Sequence, residues 1–282
     1  MKLVRFGAAG AEKPGLIDQD GTLRDLSGEV PDIGGDTLSD AGLEAIRGLE
    51  VSSLPAVSGE PRLGPCVGNI GKYVCIGLNY SDHAEEANMP IPDEPIIFFK
   101  ATSSIMGPND DIVLPKDAEK VDWEVELCIV IGKEARYVSE ADALTHVAGY
   151  CVANDVSERH FQLERSGQWV KGKSADTFGP IGPWLVTRDE VPDPQNLEMW
   201  LDVDGERRQS GSTRTMIFSA AHIVSYVSQF MSLQPGDIIA TGTPPGVGMG
   251  HKPPVYLSAG QTVRLGVEGL GEQTQKTRAW EG

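Results

Sequence analysis

Short apolar runs dominate the chain beyond residue 63: YVCIG, IIFFK, IVLP, WEVELCIVIG, VAGYCVAND, WLVT, LEMWLDVDG, DIIATG and TVRLGV. Most are bounded by Gly, Pro, Asn or Asp, the punctuation of short strands. Helical spacing is rarer. It follows Asn79, follows Asp155 (SERHFQLERS), and recurs over SEADALTHV and SAAHIVSYVSQFM. In the last of these Ala220, Ile223, Val224, Val227 and Met231 fall on one face, which predicts packing on an apolar surface. No β-α-β alternation and no internal period is present. The order therefore predicts an α+β, β-rich domain with flanking helices and not a doubly wound sheet.

The first 63 residues read differently. KLVRF and GLIDQ surround a Gly/Pro-containing turn as two strands, and Leu23 to Leu26 adds a third. Leu38, Leu43, Ile46 and Leu49 recur at helical spacing over 38–50, with Ser39 or Asp40 as the cap. SSLPAVSGEPRLGP then has the composition of a linker. The expectation is a small N-terminal α/β subdomain over 1–63 and a main domain over 64–282.

Composition narrows the partners. In 282 residues, 40% are apolar and 23% charged, a globular mixture long enough to bury a sizeable core. Lys and Arg number 24 against 41 Asp and Glu, a formal charge of −17. That balance argues against nucleic acid and against docking on an anionic membrane, both of which need clustered cations. No run approaches the ~20 apolar residues of a membrane span. MKLVRFGAAGAEKPG lacks the apolar stretch of a secretory signal, so the expected location is the cytoplasm. The four cysteines form no C-x-x-C pair. Cys75, Cys128 and Cys151 stand among apolar neighbours and read as small core residues, with no disulfide framework.

The candidate chemistry starts at VDWEVELCIVIG. On one strand over Val121 to Gly132, Glu124 and Glu126 share a face with Cys128 and Val130, while Val125, Leu127, Ile129 and Ile131 share the other. Two neighbouring carboxylates on a buried strand repel and are poorly solvated, a penalty that a divalent cation removes. Oxygen donors suit Mg²⁺, Mn²⁺ or Ca²⁺ better than zinc. A solvated edge strand explains E-x-E equally well, and this segment leaves both readings open. Asp155 ends the strand-like GYCVAND, where a carboxylate can join two others or cap a helix. In GLNYSDHAEEA, His83 and Glu86 lie three residues apart on one helical face. A carboxylate that fixes an imidazole tautomer suits general-base work, although acids also favour a first helical turn for the dipole alone. His146, His160, His222 and His251 lack a comparable setting. Lys100 and Lys173 emerge at a strand end and in a Gly-interrupted loop, where an ammonium can bind a carboxylate or polarise a carbonyl. DIIATGTPPGVGMG matches neither a P-loop nor a dinucleotide fingerprint, and Thr241 and Thr243 there can meet an anion.

Taken in this order, GLNYSDHAEE, IIFFKATSS, WEVELCIVIG, GYCVANDVSERHFQ, KGKSADTFGPIGPW and MIFSAAHIVSYVSQFMSLQPGDIIATGTPPGVG resemble the fumarylacetoacetate hydrolase superfamily from about Tyr73 to Val267. The resemblance implies a mixed β-roll or sandwich with flanking helices, commonly a homodimer, and short N-terminal domains occur in its bacterial members. It implies Mg²⁺ or Mn²⁺ on Glu124, Glu126 and Asp155, and a His83–Glu86 pair on a lid helix. It also implies a catalytic role for Lys173, and substrate contacts from Lys100, Arg159, Gln162 and Thr243. The implied substrate is a small anionic 2-oxo or 2,4-diketo acid. The nearest subgroup resembles hydrolases of 2,4-diketo-3-deoxy-L-fuconate, often called ureidoglycolate lyase. Oxaloacetate decarboxylation, hydroxy-diene-dioate isomerisation and a catalytically silent metal- or sugar-acid-binding protein are the competing expectations.

Overall fold

The computed structural model describes residues 1–281. One ten-stranded sheet carries both the N-terminal strands and those of the main domain. From one edge its order is Leu23–Asp25, Lys13–Ile17, Lys2–Phe6, Gly179–Thr187, Val147–Asn154, Val125–Ile131, Ile238–Ala240, Tyr73–Gly77 and Ile96–Lys100. Ile105–Met106 pairs in parallel beside Gly179–Thr187. Ile238–Ala240 is parallel to Tyr73–Gly77, and the other pairings along this path are antiparallel. A second sheet of five strands runs Glu206–Ser212, Glu198–Val203, Thr262–Val267, Gly271–Ala279 and Ile112–Leu114. The architecture is the expected mixed, strand-rich α+β sandwich, without a closed barrel.

The strand Val125–Ile131 shows why. Its odd-numbered residues Val125, Leu127, Ile129 and Ile131 share a core with Leu201, Val263 and Leu265 of the second sheet and with Ile223 and Val224. Cys128 and Val130 face a second core containing Leu3, Leu16, Leu38, Leu43 and Ile46. A strand buried on both faces reads as continuous apolar sequence, as CIVI does. Each such Leu contributes about 1.5–3 kcal/mol by burial. The three strands within residues 1–63 thus extend the shared sheet, with Lys2 opposite Val186 and Leu3 opposite Leu185.

The N-terminal helix forms over Asp40–Arg47, with the Ser39 hydroxyl accepting from Gly42 N at 3.1 Å. The helix Ala220–Val227 is capped in the same way by Ser219. It ends at Val227, so Met231 is only partly buried against the same core. All four cysteines are buried and free. No helix among the described residues is long and apolar enough to cross a membrane.

Two local expectations are corrected. The strand predicted over 121–132 is broken into Val121–Asp122 and Val125–Ile131. At the break, side chains take over from ladder partners: Glu124 N donates to Asn154 Oδ1 and Val125 N to Gln209 Oε1. SERHFQLERS is not an α-helix. Ser157–Glu158 pairs with Val121–Asp122 as a short ribbon, and His160–Glu164 makes one wide π-type turn. Buried Glu158 draws the chain away from the helix by accepting from Glu119 N, Lys120 N and Phe161 N.

Candidate active site

Adjacent antiparallel strands assemble an acidic cluster. Glu126 lies within Val125–Ile131 opposite Ala153, Glu124 directly precedes that strand, and Asp155 directly follows Val147–Asn154. Asp155 N donates to Glu124 O at 2.9 Å. One carboxylate oxygen from each of Glu124, Glu126 and Asp155 lies within 4.8 Å of the others, and all three residues are buried.

Cations pack around them unequally. Lys173 Nζ donates to Glu124 Oε2 at 2.7 Å and Asp155 Oδ2 at 2.8 Å. Lys100 Nζ lies 2.6 Å from Asp155 Oδ1 and donates to Val156 O and Lys173 O. Arg159 donates from Nη2 to Glu124 Oε1 at 2.6 Å, from Nε to Asp122 Oδ2 at 2.8 Å and from Nη1 to Gln162 Oε1 at 3.0 Å. Among the described residues Glu126 receives only Gly242 N, at 2.8 Å.

The acidities follow from this inequality. Burial pushes Glu124 upward, but the Lys173 and Arg159 charges overcome it and hold the carboxyl at about 2. Burial pushes Glu126 well above the ordinary glutamate range, and the charges of Asp155 and Glu124 push it further. Burial opposes the Lys173 charge, yet Asp155 and Glu124 raise its pKa; Lys100 is lowered, chiefly by burial. With all four carboxyls ionised, Asp122, Glu124, Glu126 and Asp155 thus outnumber Lys100, Lys173 and Arg159 by one charge. The uncompensated member is Glu126, which faces Glu124 and Asp155 across the cluster. An all-oxygen donor set short of positive charge fits Mg²⁺ or Mn²⁺. Once a divalent ion is bound the centre carries net positive charge, the right sign for a carboxylate ligand.

A cleft of about 530 Å³ opens over this centre and is lined by Glu124, Glu126, Arg159, Gln162, Lys173, Thr243, His83 and Glu86, among others. Lys100 and Asp155 are buried and lie outside the lining. The Thr243 hydroxyl donates to Val125 O and accepts from Gln209 Nε2. Thr241 donates to Leu127 O and is likewise outside the lining.

His83 and Glu86 sit on the helix Ser81–Glu86, with Nδ1 3.0 Å from Glu86 Oε2. Burial pushes the Glu86 carboxyl up, but hydrogen bonds from His83 and Gly246 N bring it below the ordinary range. An ionised carboxylate only accepts, so Nδ1 is the donor of this pair, and in the neutral ring Nε2 is the nitrogen with the lone pair. Glu86 docks on the loop after Ile238–Ala240. Gly246 N donates to both of its oxygens, and a Cβ at Gly250 would come within 3.0 Å of Glu86 Cδ.

Sequence reasoning missed the residue that ties these parts together. Asp122, fully buried, accepts from Gly248 N at 2.6 Å, Met249 N at 3.0 Å and Trp123 N at 2.8 Å, besides Arg159 Nε. One carboxylate therefore fixes both Arg159 and the loop that receives Glu86. Its signal was present, because strand alternation places residue 122 on the face of 124 and 126. Gln209 was also missed, as was the place of His251 in the cleft lining. His222, read as lacking a setting comparable to that of His83, faces Glu140 Oε2 at 3.1 Å.

Residues 72–278 match the family described as fumarylacetoacetate (FAA) hydrolase, C-terminal. The chain belongs to this family. A relative from Burkholderia multivorans, whose name proposes only a hydrolase, is 66% identical over 280 residues, covering 99% of each chain. The fumarylacetoacetate hydrolase from Exiguobacterium antarcticum is 38% identical with a TM-score of 0.84, covering 99% of this chain and 100% of that one. A 2-hydroxyhepta-2,4-diene-1,7-dioate isomerase from Mycobacterium marinum is 32% identical (TM-score 0.77, 100% of both chains). The maleylpyruvate hydrolase from Sphingobium sp., solved with manganese(II) and pyruvate, is 29% identical (TM-score 0.83, 100% of both chains). Named members similar to this chain are thus hydrolases and isomerases of small unsaturated or keto acids.

Proposed function

We propose that this protein is a Mg²⁺- or Mn²⁺-dependent hydrolase that breaks a carbon–carbon bond of a 2,4-diketo acid. The observation that carries the reading is one cleft over a buried three-carboxylate cluster, short of positive charge, and lined by an imidazole backed by an ionised carboxylate. A divalent ion on Glu124, Glu126 and Asp155 would supply Lewis-acid stabilisation to negative charge developing on the C2 oxygen. Arg159 and Gln162 meet the substrate carboxylate, with Thr243 beside them. Lys173 adds a fixed positive charge where the enolate develops. Lys100, beneath the cleft, positions Asp155 and the Lys173 backbone and does not touch substrate. His83 Nε2 takes a proton from water, and Glu86 holds the ring and stabilises the imidazolium. The water oxygen bonds to C4, the C3–C4 bond breaks with its electron pair passing to the enolate, and C3 is then protonated.

The manganese and pyruvate of the Sphingobium maleylpyruvate hydrolase support the reaction class. The narrower candidate from sequence, 2,4-diketo-3-deoxy-L-fuconate, belongs in the substrate panel, as does ureidoglycolate. The Mycobacterium marinum isomerase favours a second reading, in which the same dyad moves a proton without cleavage. A cytoplasmic homodimer is part of the proposal, to be checked by light scattering for a mass about twice 30.3 kDa. The test is His83→Ala, with metal content measured. Turnover of a 2,4-diketo acid should fall by about 10²–10⁴ while the metal stays bound. Full turnover with metal retained would remove His83 from the mechanism.

A further inference from the structure

The cleft has two chemically different parts. One holds the carboxylates, Arg159 and Lys173. From Lys173 outward the lining turns apolar: the Phe98 ring centroid lies 5.0 Å from Lys173 Nζ, and Trp169 meets Phe98 edge-on at 5.3 Å between centroids. Trp169 packs on Gly77 so tightly that a Cβ there would come within 2.7 Å of the indole. Leu163, Met249 and Met89 also line the cleft and are 42%, 38% and 50% exposed. Large apolar side chains left open inside a concave site are the surface that a ligand covers. Polar side chains in this part are few. Lys252 is exposed at the surface, and His251 Nε2 is shut off from solvent without a hydrogen-bond partner among the described residues. A site that selects a row of hydroxyls needs matching donors and acceptors along its length.

We infer that the substituent on C4 of the substrate is apolar, an alkyl chain of several carbons or an aryl ring, and not a polyol or a second carboxylate. This rests on the reading of the protein as a 2,4-diketo acid hydrolase. It separates this chain from the dioate named for the Mycobacterium marinum structure and from the fuconate expected by resemblance. The C2 end sits over the carboxylate centre and the tail runs along Phe98, Trp169 and Leu163. The overall change is R–CO–CH₂–CO–COO⁻ plus water giving R–COO⁻, pyruvate and one proton. Water supplies the oxygen of the new carboxylate, and the electron pair of the C3–C4 bond ends in a C–H bond of pyruvate.

The experiment uses the Mn²⁺-loaded enzyme and measures pyruvate from 2,4-dioxopentanoate, its hexanoate, heptanoate and octanoate homologues, and 2,4-dioxo-4-phenylbutanoate. The comparison acids are 2,4-dioxoheptanedioate and 2,4-diketo-3-deoxy-L-fuconate. The value of kcat/KM should rise about fourfold per added methylene, the ratio given by burying one CH₂, and both comparison acids should fall below the octanoate. Trp169→Ala should flatten the gradient. Leu163→Asn, at a half-exposed position, should reduce it without endangering the fold. A flat series, a preference for the dioate or the polyol, or an unchanged gradient in both variants would overturn the inference while leaving the hydrolase reading intact. Cleavage of none of these acids would overturn the hydrolase reading itself and the inference with it.

Discussion

Replacing Asp122 by Ala removes one side chain and undoes two supports of the active site. In the native chain the carboxylate accepts from Gly248 N, Met249 N, Trp123 N and Arg159 Nε at 2.6–3.0 Å, with no solvent exposure. Breaking one side of a buried ion pair costs about 3–5 kcal/mol. Arg159 keeps Glu124, which favours the lower end. A buried N–H left without an acceptor costs about 1–3 kcal/mol; the loop has one at Gly248, and the Met249 N–H beside it is partly buried. These losses belong to one network and do not add in full. A fall of about 4 kcal/mol in unfolding free energy is the expected sum, a large share of the 5–15 kcal/mol typical of a domain. Urea titration should show the midpoint falling with the slope unchanged. Asp122→Asn should recover little, because its amide must turn a donor toward groups that are themselves donors. Since the same carboxylate holds the Glu86 docking loop, kcat should fall and KM rise together under folding conditions. A variant within about 0.5 kcal/mol of the native chain, the scatter of neutral surface changes, would refute the network. So would one that is destabilised but kinetically normal.

Further outcomes follow from the same geometry. Gly250→Ala places a methyl 3.0 Å from Glu86 Cδ and 3.1 Å from Oε2, so it should lower kcat about tenfold by tilting His83, with metal affinity unchanged in a titration. Glu126 is raised by burial and by Asp155 and Glu124, so the metal-free chain holds a proton there where an ordinary glutamate has lost it. Its contribution to stability is complete below the ordinary glutamate pKa and is lost as pH rises through the raised folded value. Cation binding must expel that proton, so metal affinity should increase with pH over the same window. Calorimetry in two buffers of different ionisation enthalpy should report proton release that Glu126→Gln abolishes. Gln273→Leu strands the Val152 and Gly182 carbonyls that Gln273 Nε2 bridges between the sheets, and thermal unfolding should show a loss of about 1–3 kcal/mol.

The sequence made visible the parts of the fold where side-chain chemistry is local. CIVI reads as a doubly buried strand because each of its residues is apolar, and Ser39 announces its helix by capping it. The strands Glu206–Ser212 and Gly271–Ala279 escaped because their inward residues are polar: Gln209, Gln273 and Gln275 are fully buried and hydrogen-bonded to the side of the facing sheet. Alternation of polar with polar leaves no hydrophobic period to read. SERHFQLERS misled for the opposite reason, since its helical spacing is overruled by Glu158 accepting three backbone N–H groups. At the candidate site the residue types were legible, but their division of labour was not. Only the folded arrangement places Lys100 beneath the cleft, ties Thr243 to Val125 O and makes Asp122 the joint between Arg159 and the Glu86 loop.

The central claim is cation-dependent hydrolytic cleavage, and a single labelled turnover tests it. Enzyme stripped with a chelator is mixed with 2,4-dioxohexanoate in ¹⁸O-water, before and after Mn²⁺ is restored, and the products are weighed by mass spectrometry. The account predicts no products before metal addition, and afterwards pyruvate with propanoate carrying one ¹⁸O from solvent in its new carboxylate. Equal cleavage without metal, or metal-restored turnover that leaves the C3–C4 bond intact, would contradict it.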